Sequence, residues 1–595
     1  MNLVFDIWSV LTFRQRLWVL GAQLLSIVMA LTTVAGIASI APFFSVLGNP
    51  HLIDQSGPLV WLYHFGFSSR RSFTVALGLA FMGLVLLANL INVIGSFVMI
   101  RLAWSIGTDL QSILFAEYLH RPYLFHARTH SAVLFNNVIH ETARATNHIL
   151  QNAFSLVTNV ITALFIIVSV MLLNPAVAAA MIGALAGGYV LIYLAVRNRL
   201  LRAGEIESHF YIEQTKIVNE GLGAIKEVLV LRIQNFFRGS FERSTRSVAR
   251  AAARTQLIGQ SPKYIMECIA VLGLVAVALL AGSDDGIGPR LGELTFLGFA
   301  AYRLLPTLQQ AFLAIVKIRA NRAGFTSIAP DLRLARANER RVDTRDCSWQ
   351  GAPRLEIGLN EVSFRYEPDR PLAVSGVSLR IPAGAAVGFV GANGSGKTTL
   401  VDLIAGLLVP GTGQIEVDGI VLDAANRPAW QSRIAYAPQN IFLLDATIAQ
   451  NVALSVSAGE IDRERLLAAA RLAQLDEFVA TLPLGYDHMV GERGRRLSGG
   501  QRQRIGIARA LYRDASVLIM DEATNALDGL TEQELMATIV RLRGRYTVIL
   551  IAHRLSTVRA CDVIFEFDRG RVTGSGNYDG LLRDSKTFRR LVNVP

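Results

Sequence analysis

Long apolar runs separated by charged stretches fill the first 320 residues of the chain. A helix that crosses a bilayer needs about 20 mostly apolar residues, and runs of this length are frequent enough for six spans. The predicted positions are residues 17–47, 72–100, two spans within 149–196, 264–283 and 294–316. Asn174-Pro175, in the middle of the uncharged run 149–196, predicts the turn between its two spans. The pattern therefore predicts an all-α, six-helix transmembrane domain.

The helical pattern continues beyond two of these spans. Residues 108–119 and 202–254 place charged and apolar positions at helical spacing, so the helices should extend past the bilayer. Arginines gather in and beside these extensions, at Arg121, Arg128, Arg197, Arg199, Arg202 and Arg254. Because basic residues favour the cytoplasmic side of a membrane, we expect the extensions and both termini in the cytoplasm.

Residues 51–67 form the sizeable loop predicted on the outer side, and apolar and aromatic residues are frequent in it. One interpretation is a short segment that lies in the plane of the outer interface. The other is an ordinary loop anchored by an aromatic belt. The residues alone leave both open.

The pattern changes after Ala320. The stretch that follows is rich in charge and has Pro353 near its end, which indicates a linker. Farther on, strand-like runs such as 386–390 and 516–520 alternate with helical runs, as is typical of an α/β domain. The predicted organisation is a transmembrane domain at residues 1–320, a linker at 321–354 and an α/β domain at 355–595.

The bulk composition supports this division. Hydrophobic residues make up 52% of the 595 positions and charged residues only 17%, a balance that soluble domains rarely show. The formal net charge of +12 fits the cytoplasmic loops of a membrane protein. No basic and aromatic reading motif is present, so we expect no nucleic acid partner. The three cysteines lie far apart, which indicates neither a disulfide framework nor a metal knuckle.

A glycine-rich loop follows the predicted strand 386–390. It begins at Gly391, matches G-x-x-x-x-G-K-[ST] and precedes a helical run. In such a loop the backbone N–H groups surround phosphate oxygens, while Lys397 reaches the β- and γ-phosphates and Thr398 ligates Mg²⁺. The predicted contact residues are Gly391, Asn393, Gly394, Ser395, Gly396, Lys397, Thr398 and Thr399. The loop predicts ATP and Mg²⁺ as cofactors.

Two carboxylates end the apolar run 517–520. Next to a phosphate loop, the first carboxylate, Asp521, would hold Mg²⁺ and the second, Glu522, would activate water as the catalytic base. Taken singly, a strand that ends in Asp-Glu is more often just a solvated strand end. This interpretation therefore depends on the phosphate loop.

The motif Leu-Ser-Gly-Gly-Gln at residues 497–501 indicates a particular family of phosphate-loop proteins. With it, the stretch from residue 355 to the C-terminus resembles the nucleotide-binding domain of ABC transporters, with the motifs in family order. The resemblance implies that this signature motif of one subunit closes over the ATP held by the phosphate loop of a second subunit. The implied contact residues are Ser498, Gly499, Gly500 and Gln501, and the implied assembly is a homodimer.

Three further residues take roles from the same resemblance. It implies that Tyr366 stacks on adenine, that Gln439 ligates Mg²⁺ and links it to the membrane helices, and that His553 senses the γ-phosphate. In isolation they would be interpreted as a core tyrosine, a surface glutamine and a strand-end histidine. The sequence departs from the family at Asn525, where serine is usual, but Glu522 is intact and we expect an active site.

A membrane block placed ahead of its motor in one chain resembles an exporter-type ABC half-transporter. The resemblance implies that the cytoplasmic bends near residues 120–126 and 208–215 are coupling helices, and that closure of the nucleotide-binding domains on ATP opens the cavity outward. It also implies a location in the cell inner membrane, with the nucleotide-binding domain in the cytoplasm.

Within this family, the membrane half looks most similar to flippases of lipid-linked oligosaccharides. The similar features are Leu-Gly-Asn-Pro at residues 47–50, the outer segment 51–67, Gly-Ala-Ile-Lys-Glu at residues 223–227 and Tyr-Arg-Leu-Leu-Pro at residues 302–306. The similarity implies a polyprenyl pyrophosphate-linked oligosaccharide as cargo, moved from the cytoplasmic to the outer leaflet.

Arg303 gives an independent reason to expect an anionic headgroup. An ionisable residue inside a span is costly and usually functional, and the arginine fork suits phosphate. Lys263 and Arg101, at the edges of their spans, could face the same cavity. Alternatively, Arg303 pairs with Glu267, and the other two cations extend to the cytoplasmic interface.

Two other functions remain open. The chain could export other lipids, peptides or drugs, or it could be an ATP-gated regulator or channel that moves no cargo. The first alternative predicts ATPase stimulation by unrelated amphiphiles, and the second predicts no dependence on cargo.

Overall fold

The computed structural model divides the chain into two compact units. The first comprises residues 1–121 and 129–343, and the second comprises residues 122–128 and 344–595. The first unit is helical and the second is built around β-sheets. The described residues are 2–48, 63, 67, 69–173, 175, 179, 182–281, 291–339, 356–513, 515–522, 529–552 and 555–592.

Helices account for nearly all of the first unit. Thr12 starts one of them with a capping box, in which its hydroxyl accepts from the Gln15 backbone N–H and the Gln15 side chain accepts from that of Thr12. The helices are Asn2–Val10, Phe13–Ala38, Ile40–Gly48, Arg70–His120, Ser131–Phe135, Thr142–Arg144, Gln151–Leu173, Gly187–Gly223, Ile225–Val230, Gln234–Ala281 and Leu291–Glu339, with π-helical turns at Asn136–Glu141, Ala145–Leu150 and Ile182–Ala186.

Each of the six predicted spans overlaps a long helix of the described chain. Among the described residues, four helices are long and apolar enough to cross a membrane: Phe13–Leu47, Arg70–His120, Ser131–Leu172 and Gly298–Glu339. Large apolar side chains on them, such as Leu86, are exposed, which suits contact with lipid because water penalises apolar surface. The turn expected at Asn174-Pro175 and most of the outer segment 51–67 lie outside the described residues.

The last helix of this unit continues into the predicted linker. It runs from Leu291 to Glu339, so residues 321–339 are helical and not a linker. Phe325, Ile328 and Leu332 are buried at helical spacing. Those apolar positions hold the polar-looking stretch against its neighbours, and the remaining predicted linker residues, 340–354, lie outside the described part of the chain.

Of the two expected cytoplasmic bends, one lies elsewhere. The first is where the sequence places it, because the helix Arg70–His120 ends there and the short helix Tyr123–Arg128 follows. The second, expected at residues 208–215, is wrong, since Gly187–Gly223 is one continuous helix. The chain reverses instead through the short helix Ile225–Val230 and a turn at Arg232, whose φ of 54° is left-handed.

A buried polar cluster joins three helical segments of the first unit. An Arg144 guanidinium nitrogen lies 3.1 Å from Glu141 Oε1, and Arg144 Nε donates to Asn321 Oδ1 at 3.0 Å. The Ser208 hydroxyl donates to Glu141 at 2.7 Å. Burial raises the pKa of Glu207, whose carboxylate lies 3.7 Å from Arg144. Removing one partner of such a buried pair costs about 3–5 kcal/mol, so this arrangement of the segments is strongly preferred.

The second unit contains two β-sheets in its described residues. The strands are β1 (Glu356–Phe364), β2 (Val374–Pro382), β3 (Ala386–Gly391), β4 (Thr412–Val417), β5 (Ile420–Val421), β6 (Ile434–Ala437), β7 (Val517–Asp521), β8 (Thr547–Ile551), β9 (Val563–Asp568) and β10 (Arg571–Gly576). The smaller sheet has the order β2-β1-β4-β5 and is antiparallel. The larger has the order β10-β9-β3-β8-β7-β6, and only β10 pairs antiparallel.

Apolar side chains cover both faces of the larger sheet. Alternate residues of β7 go to opposite clusters: Leu518 belongs to one and Ile519 to the other. A parallel sheet needs this two-sided burial, which explains the near-continuous apolar strands. The α-helices of the unit are Tyr123–Arg128, Lys397–Ile404, Arg427–Ser432, Ile448–Val452, Arg463–Leu472, Asp476–Ala480, Gly499–Tyr512, Gly529–Arg541, Leu555–Val558, Tyr578–Asp584 and Lys586–Val592. The carboxyl ends of β3, β6 and β7 share one edge of the sheet, and the candidate site lies there.

Candidate functional sites

The glycine-rich loop joins β3 to the helix Lys397–Ile404. Gly391 and Gly396 have φ angles of 148° and 102°, which residues with a Cβ rarely adopt. A Cβ on Gly391 would lie 2.2 Å from the Phe567 carbonyl oxygen, and one on Gly396 would lie 2.4 Å from that of Ala373. Glycine is therefore required at both positions, and the loop is held tightly against the sheet.

Lys397 is the first residue of the helix that follows the loop. Its Nζ donates to the carbonyl oxygens of Gly391 at 2.8 Å and Ala392 at 2.9 Å. Burial lowers the pKa of Lys397, and the carboxylates of Glu522 and Asp521 oppose that shift. A third bond runs from Lys397 Nζ to the Ser395 hydroxyl at 3.4 Å. A buried ammonium held by neutral oxygens favours an anionic partner, so phosphate oxygens suit this position.

An open cavity of about 510 Å³ lies over the loop. Its lining residues are Ala373, Asn393, Gly394, Ser395, Gly396, Lys397, Thr398, Thr399, Gln439 and Glu522. The fold thus brings most of the predicted phosphate-loop residues together with the candidate catalytic base. Gly391 lies at the base of the loop, where its carbonyl binds Lys397.

Asp521 and Glu522 lie at the end of β7 with different backbone conformations. Asp521 is buried and accepts a hydrogen bond from the Tyr436 hydroxyl at 3.3 Å. Glu522 has a φ of 49°, a left-handed conformation that costs about 1–2 kcal/mol for a residue with a side chain. This turn places Glu522 among the residues that line the cavity, while Asp521 remains in the sheet.

Gln439 follows β6 and reaches the same cavity. Its Nε2 donates to Glu522 Oε2 at 2.5 Å. The structure therefore joins the residue expected to link Mg²⁺ to the membrane helices and the residue expected to act as base.

The donors near the loop suit Mg²⁺. Thr398 offers a hydroxyl, Gln439 an amide oxygen and Asp521 a carboxylate, and Mg²⁺ prefers such hard oxygen ligands together with substrate phosphates. Within the described residues, no group of three or more His, Cys, Asp or Glu side chains forms a metal cluster.

The sequence prediction missed Asp402. It lies buried in the helix Lys397–Ile404, and burial, helped by the charge of Asp521, raises its pKa to about 6. Burial likewise raises the pKa of Tyr436, beside Asp521. A signal was present, because Asp402 is the one charged residue in the apolar run 400–408.

Tyr366 lies next to the phosphate-loop helix but does not line the cavity. Its ring contacts Phe364 edge-to-face at 5.1 Å, and its hydroxyl lies 3.2 Å from Thr399 Oγ1. Arg128, in the short helix Tyr123–Arg128 of the same unit, donates to the Tyr366 carbonyl oxygen. The adenine contact of Tyr366 remains a prediction.

The signature motif lies outside the phosphate-loop cavity. Ser498 caps the helix Gly499–Tyr512 with a reciprocal pair of bonds: its hydroxyl accepts from the Gln501 backbone N–H at 3.2 Å, and its own N–H donates to the Gln501 side chain at 2.8 Å. Ser498 itself is exposed. The signature glycines, Gly499 and Gly500, begin this helix. His553 and Asn525 lie outside the described residues.

The helical unit has a polar cavity of its own, of about 390 Å³. Amide and hydroxyl side chains form much of its wall, and Arg303 is the cation among its lining residues. The lining residues are Met29, Thr33, Asn92, Ser96, Met99, Ile100, Gln151, Phe154, Ser155, Thr158, Asn159, Thr162, Arg303, Pro306, Thr307 and Gln310.

The three cations predicted to bind cargo are not brought together. Lys263 pairs instead with Glu267 at 3.6 Å, and Arg101 is exposed and outside the lining of the cavity. The alternative pairing of Arg303 with Glu267 is therefore wrong. Within the described residues, Arg303 has no ion pair and faces the polar cavity.

A phosphate loop, a pair of carboxylates on a neighbouring strand and a glutamine bonded to the second of them define a phosphate-loop nucleotide hydrolase. Comparison with known families narrows this class. The ABC transporter model matches residues 374–525, and the model of the ABC transporter transmembrane region matches residues 19–285. The chain belongs to the ABC transporter family.

Relatives match the chain along most of its length. An ATP-dependent lipid A-core flippase of Cupriavidus pinatubonensis is 31% identical over 81% of this chain and 81% of its own. One of Burkholderia orbicola is 28% identical over 98% and 96%. A solved bacterial Atm1-family ABC exporter with ATP bound superimposes with a TM-score of 0.80 at 25% identity, covering 97% of both chains.

These matches confirm the architecture predicted from the sequence. The chain is an exporter-type ABC half-transporter, with a helical transmembrane domain followed by an α/β nucleotide-binding domain. It is a multi-pass membrane protein that hydrolyses ATP and couples the hydrolysis to transport.

Proposed function

We propose that the protein works as a homodimer in the cell inner membrane and flips a lipid with an anionic, glycosylated headgroup, of the polyprenyl pyrophosphate-linked oligosaccharide class. The carrying observation is the polar cavity of the helical unit, with one arginine among hydroxyl and amide side chains. Sugar hydroxyls pair with such groups, and Arg303 offers a fork suited to a phosphate. The resemblance to flippases named for lipid A-core supports a lipid cargo.

The homodimer is supported by the separation of the signature motif from the phosphate-loop cavity within one chain. Its phosphate-loop cavity contains no residue of the signature motif, and the signature helix begins at an exposed Ser498. A helix N-terminus is a natural anion site. In a homodimer, this helix end of one subunit would cover the nucleotide bound by the other.

An exposed apolar tip of the helical unit also supports the homodimer. Leu229, Val230 and Leu231 are 57%, 81% and 64% exposed, at and just after the short helix Ile225–Val230. Water penalises such a surface. We assign this tip the coupling role that the sequence placed at residues 208–215, with the partner subunit's nucleotide-binding domain covering it.

The chemistry follows from the residues around the loop. Lys397 exchanges its two carbonyl acceptors for phosphate oxygens when ATP binds. A bound Mg²⁺ would neutralise developing charge, with Thr398, Gln439 and Asp521 as its protein ligands. Glu522 takes the proton of the attacking water. Since Gln439 is bonded to Glu522, movement of the segment after β6 changes the position of the base.

The test is ATPase activity of the purified full-length chain in liposomes, with and without a polyprenyl pyrophosphate oligosaccharide. We expect stimulation that Arg303→Ala abolishes and that Lys263→Ala, which removes a cation outside the cavity, retains. Stimulation by unrelated amphiphiles, unaffected by Arg303→Ala, would instead indicate an exporter of other cargo. ATPase activity that no lipid changes would favour a regulator or channel.

A further inference from the structure

A second basic feature of the helical unit lies away from Arg303. The helices Gly187–Gly223 and Gln234–Ala281 enclose an open groove of about 770 Å³. Four arginines line it in two pairs, Arg199 with Arg202 on one helix and Arg250 with Arg254 on the other. Residues three or four apart share a helix face, so each pair presents two guanidinium groups to the same groove.

In the described part of the chain, no acidic side chain pairs with any of the four guanidinium groups. None of them makes an ion pair or a side-chain hydrogen bond within the described chain. The helix Gly187–Gly223 contains no acidic residue before Glu205, which is outside the groove lining. The facing helix contains none between Glu242 and Glu267, and these two pair with other cations, at 2.6 Å and 3.6 Å.

The remaining wall of the groove is largely apolar. Ile206, Phe210, Leu257 and Ile258 lie among the arginines, and Leu257 is 65% exposed. A free inorganic anion would gain nothing from these side chains. A phosphate attached to a hydrocarbon chain would use both parts of the wall.

The groove also lies at the edge of the membrane-spanning region. The uncharged run of the fourth predicted span ends at Val196, and the fifth span begins near Tyr264. On the membrane side of the groove, Leu191, Leu194 and Tyr264 are exposed, as expected for side chains that contact lipid. Basic side chains at this level meet the headgroups of the cytoplasmic leaflet.

We propose that this groove binds the phosphate headgroup of an anionic lipid in the cytoplasmic leaflet, held by the guanidinium groups of Arg199, Arg202, Arg250 and Arg254. Two pairs of forks from two helices suit a phosphate monoester or diphosphate, whose oxygens accept several bonds at once. The site is separate from the Arg303 cavity and does not depend on the identity of the cargo.

Native mass spectrometry of the full-length chain in detergent, titrated with dioleoyl phosphatidic acid, counts bound lipid and gives its dissociation constant. Dioleoyl phosphatidylcholine serves as the zwitterionic probe, and inorganic pyrophosphate as the soluble one. We expect the double variant Arg202→Gln/Arg250→Gln to bind phosphatidic acid at least about tenfold more weakly, the effect of losing one charge-assisted hydrogen bond. Phosphatidylcholine should bind weakly to both proteins.

The matched control is Arg197→Gln/Arg243→Gln, which removes the same charge from the same two helices outside the groove lining. It should retain phosphatidic acid affinity within about twofold, because those side chains only add to the general field. Circular dichroism and thermal melting verify that both variants fold.

Equal weakening in the two variants would overturn the site, since it would show attraction to surface charge alone. Unchanged affinity in the groove variant would overturn it as well. Pyrophosphate that binds as tightly as phosphatidic acid would refute the lipid assignment and indicate a site for a soluble phosphate.

Discussion

Gly204 lies where two long helices approach most closely. It belongs to the helix Gly187–Gly223, and a Cβ built on it would lie 1.6 Å from the carbonyl oxygen of Ala320 in the helix Leu291–Glu339. Both residues are buried. The obstacle is backbone, which no side-chain rotation relieves, so Gly204→Ala must push the helices apart by more than 1 Å, on the order of the missing contact distance.

The expected cost follows from two opposing effects. Overpacking of a buried contact costs about 1–3 kcal/mol, and this contact lies at the upper end. Replacing a helical glycine with alanine returns up to about 1 kcal/mol. The net loss is about 2 kcal/mol, which for a unit of this size corresponds to a Tm lower by roughly 3 °C.

Gly223→Ala is the matched control, because it lies in the same helix and its Cβ would meet nothing within 4 Å. Thermal melting of the purified chains in detergent, followed by circular dichroism, compares the two variants. Gly223→Ala should melt at or above the wild-type temperature and Gly204→Ala clearly below it. Equal melting temperatures would refute the close approach of the two helices.

Three predictions concern the nucleotide-binding domain. Glu522→Gln should lower the ATPase rate at least about 100-fold, as loss of a general base does, while ATP-bound dimers still form. A purified Glu522→Gln protein with the wild-type rate would exclude Glu522 as the base. The control is Glu460→Gln, which changes an exposed glutamate in the same way. Lys397→Ala should weaken ATP binding, measured by equilibrium titration, at least about tenfold, because a charge-assisted bond to phosphate is lost. Burial raises the pKa of Asp402 from 3.8 to about 6. Between these values the folded state keeps a proton that the unfolded state releases, so the stability of the domain falls as pH rises from about 4 to 6. Asp402→Asn should therefore raise the Tm more at pH 7 than at pH 4, and an equal effect at both pH values would contradict the titration of a buried Asp402.

The local part of the nucleotide site was predictable from the sequence. A strand, a glycine-rich loop and a helix are consecutive, so the order of Gly391, Lys397 and Thr398 already predicted that they share one loop at the end of β3. Glu522 was predictable as a strand-end carboxylate. Its contact with Gln439 was not, because the two residues are 83 positions apart and meet only when β6 and β7 pair.

The ends of helices and the pairing of charged side chains were harder to predict from the sequence. The linker prediction failed over residues 321–339 because the charged residues there concealed apolar positions such as Ile328 and Leu332, which keep helical spacing. The second bend was misplaced because the helical pattern is uninterrupted through residues 208–215. The pairing of Lys263 with Glu267 was readable from their spacing of four residues, yet Glu267 was considered only as a partner of Arg303.

The hydrogen bond between Gln439 and Glu522 has a consequence for the control of ATP hydrolysis. One carboxylate oxygen of Glu522, the candidate base, accepts a hydrogen bond from the amide of a segment that lies outside the phosphate loop. In the proposed mechanism, a shift of Gln439 therefore moves the carboxylate that takes the proton of the attacking water. The rate of hydrolysis would then depend on where the segment after β6 lies, so one hydrogen bond would couple the use of ATP to movement of the chain.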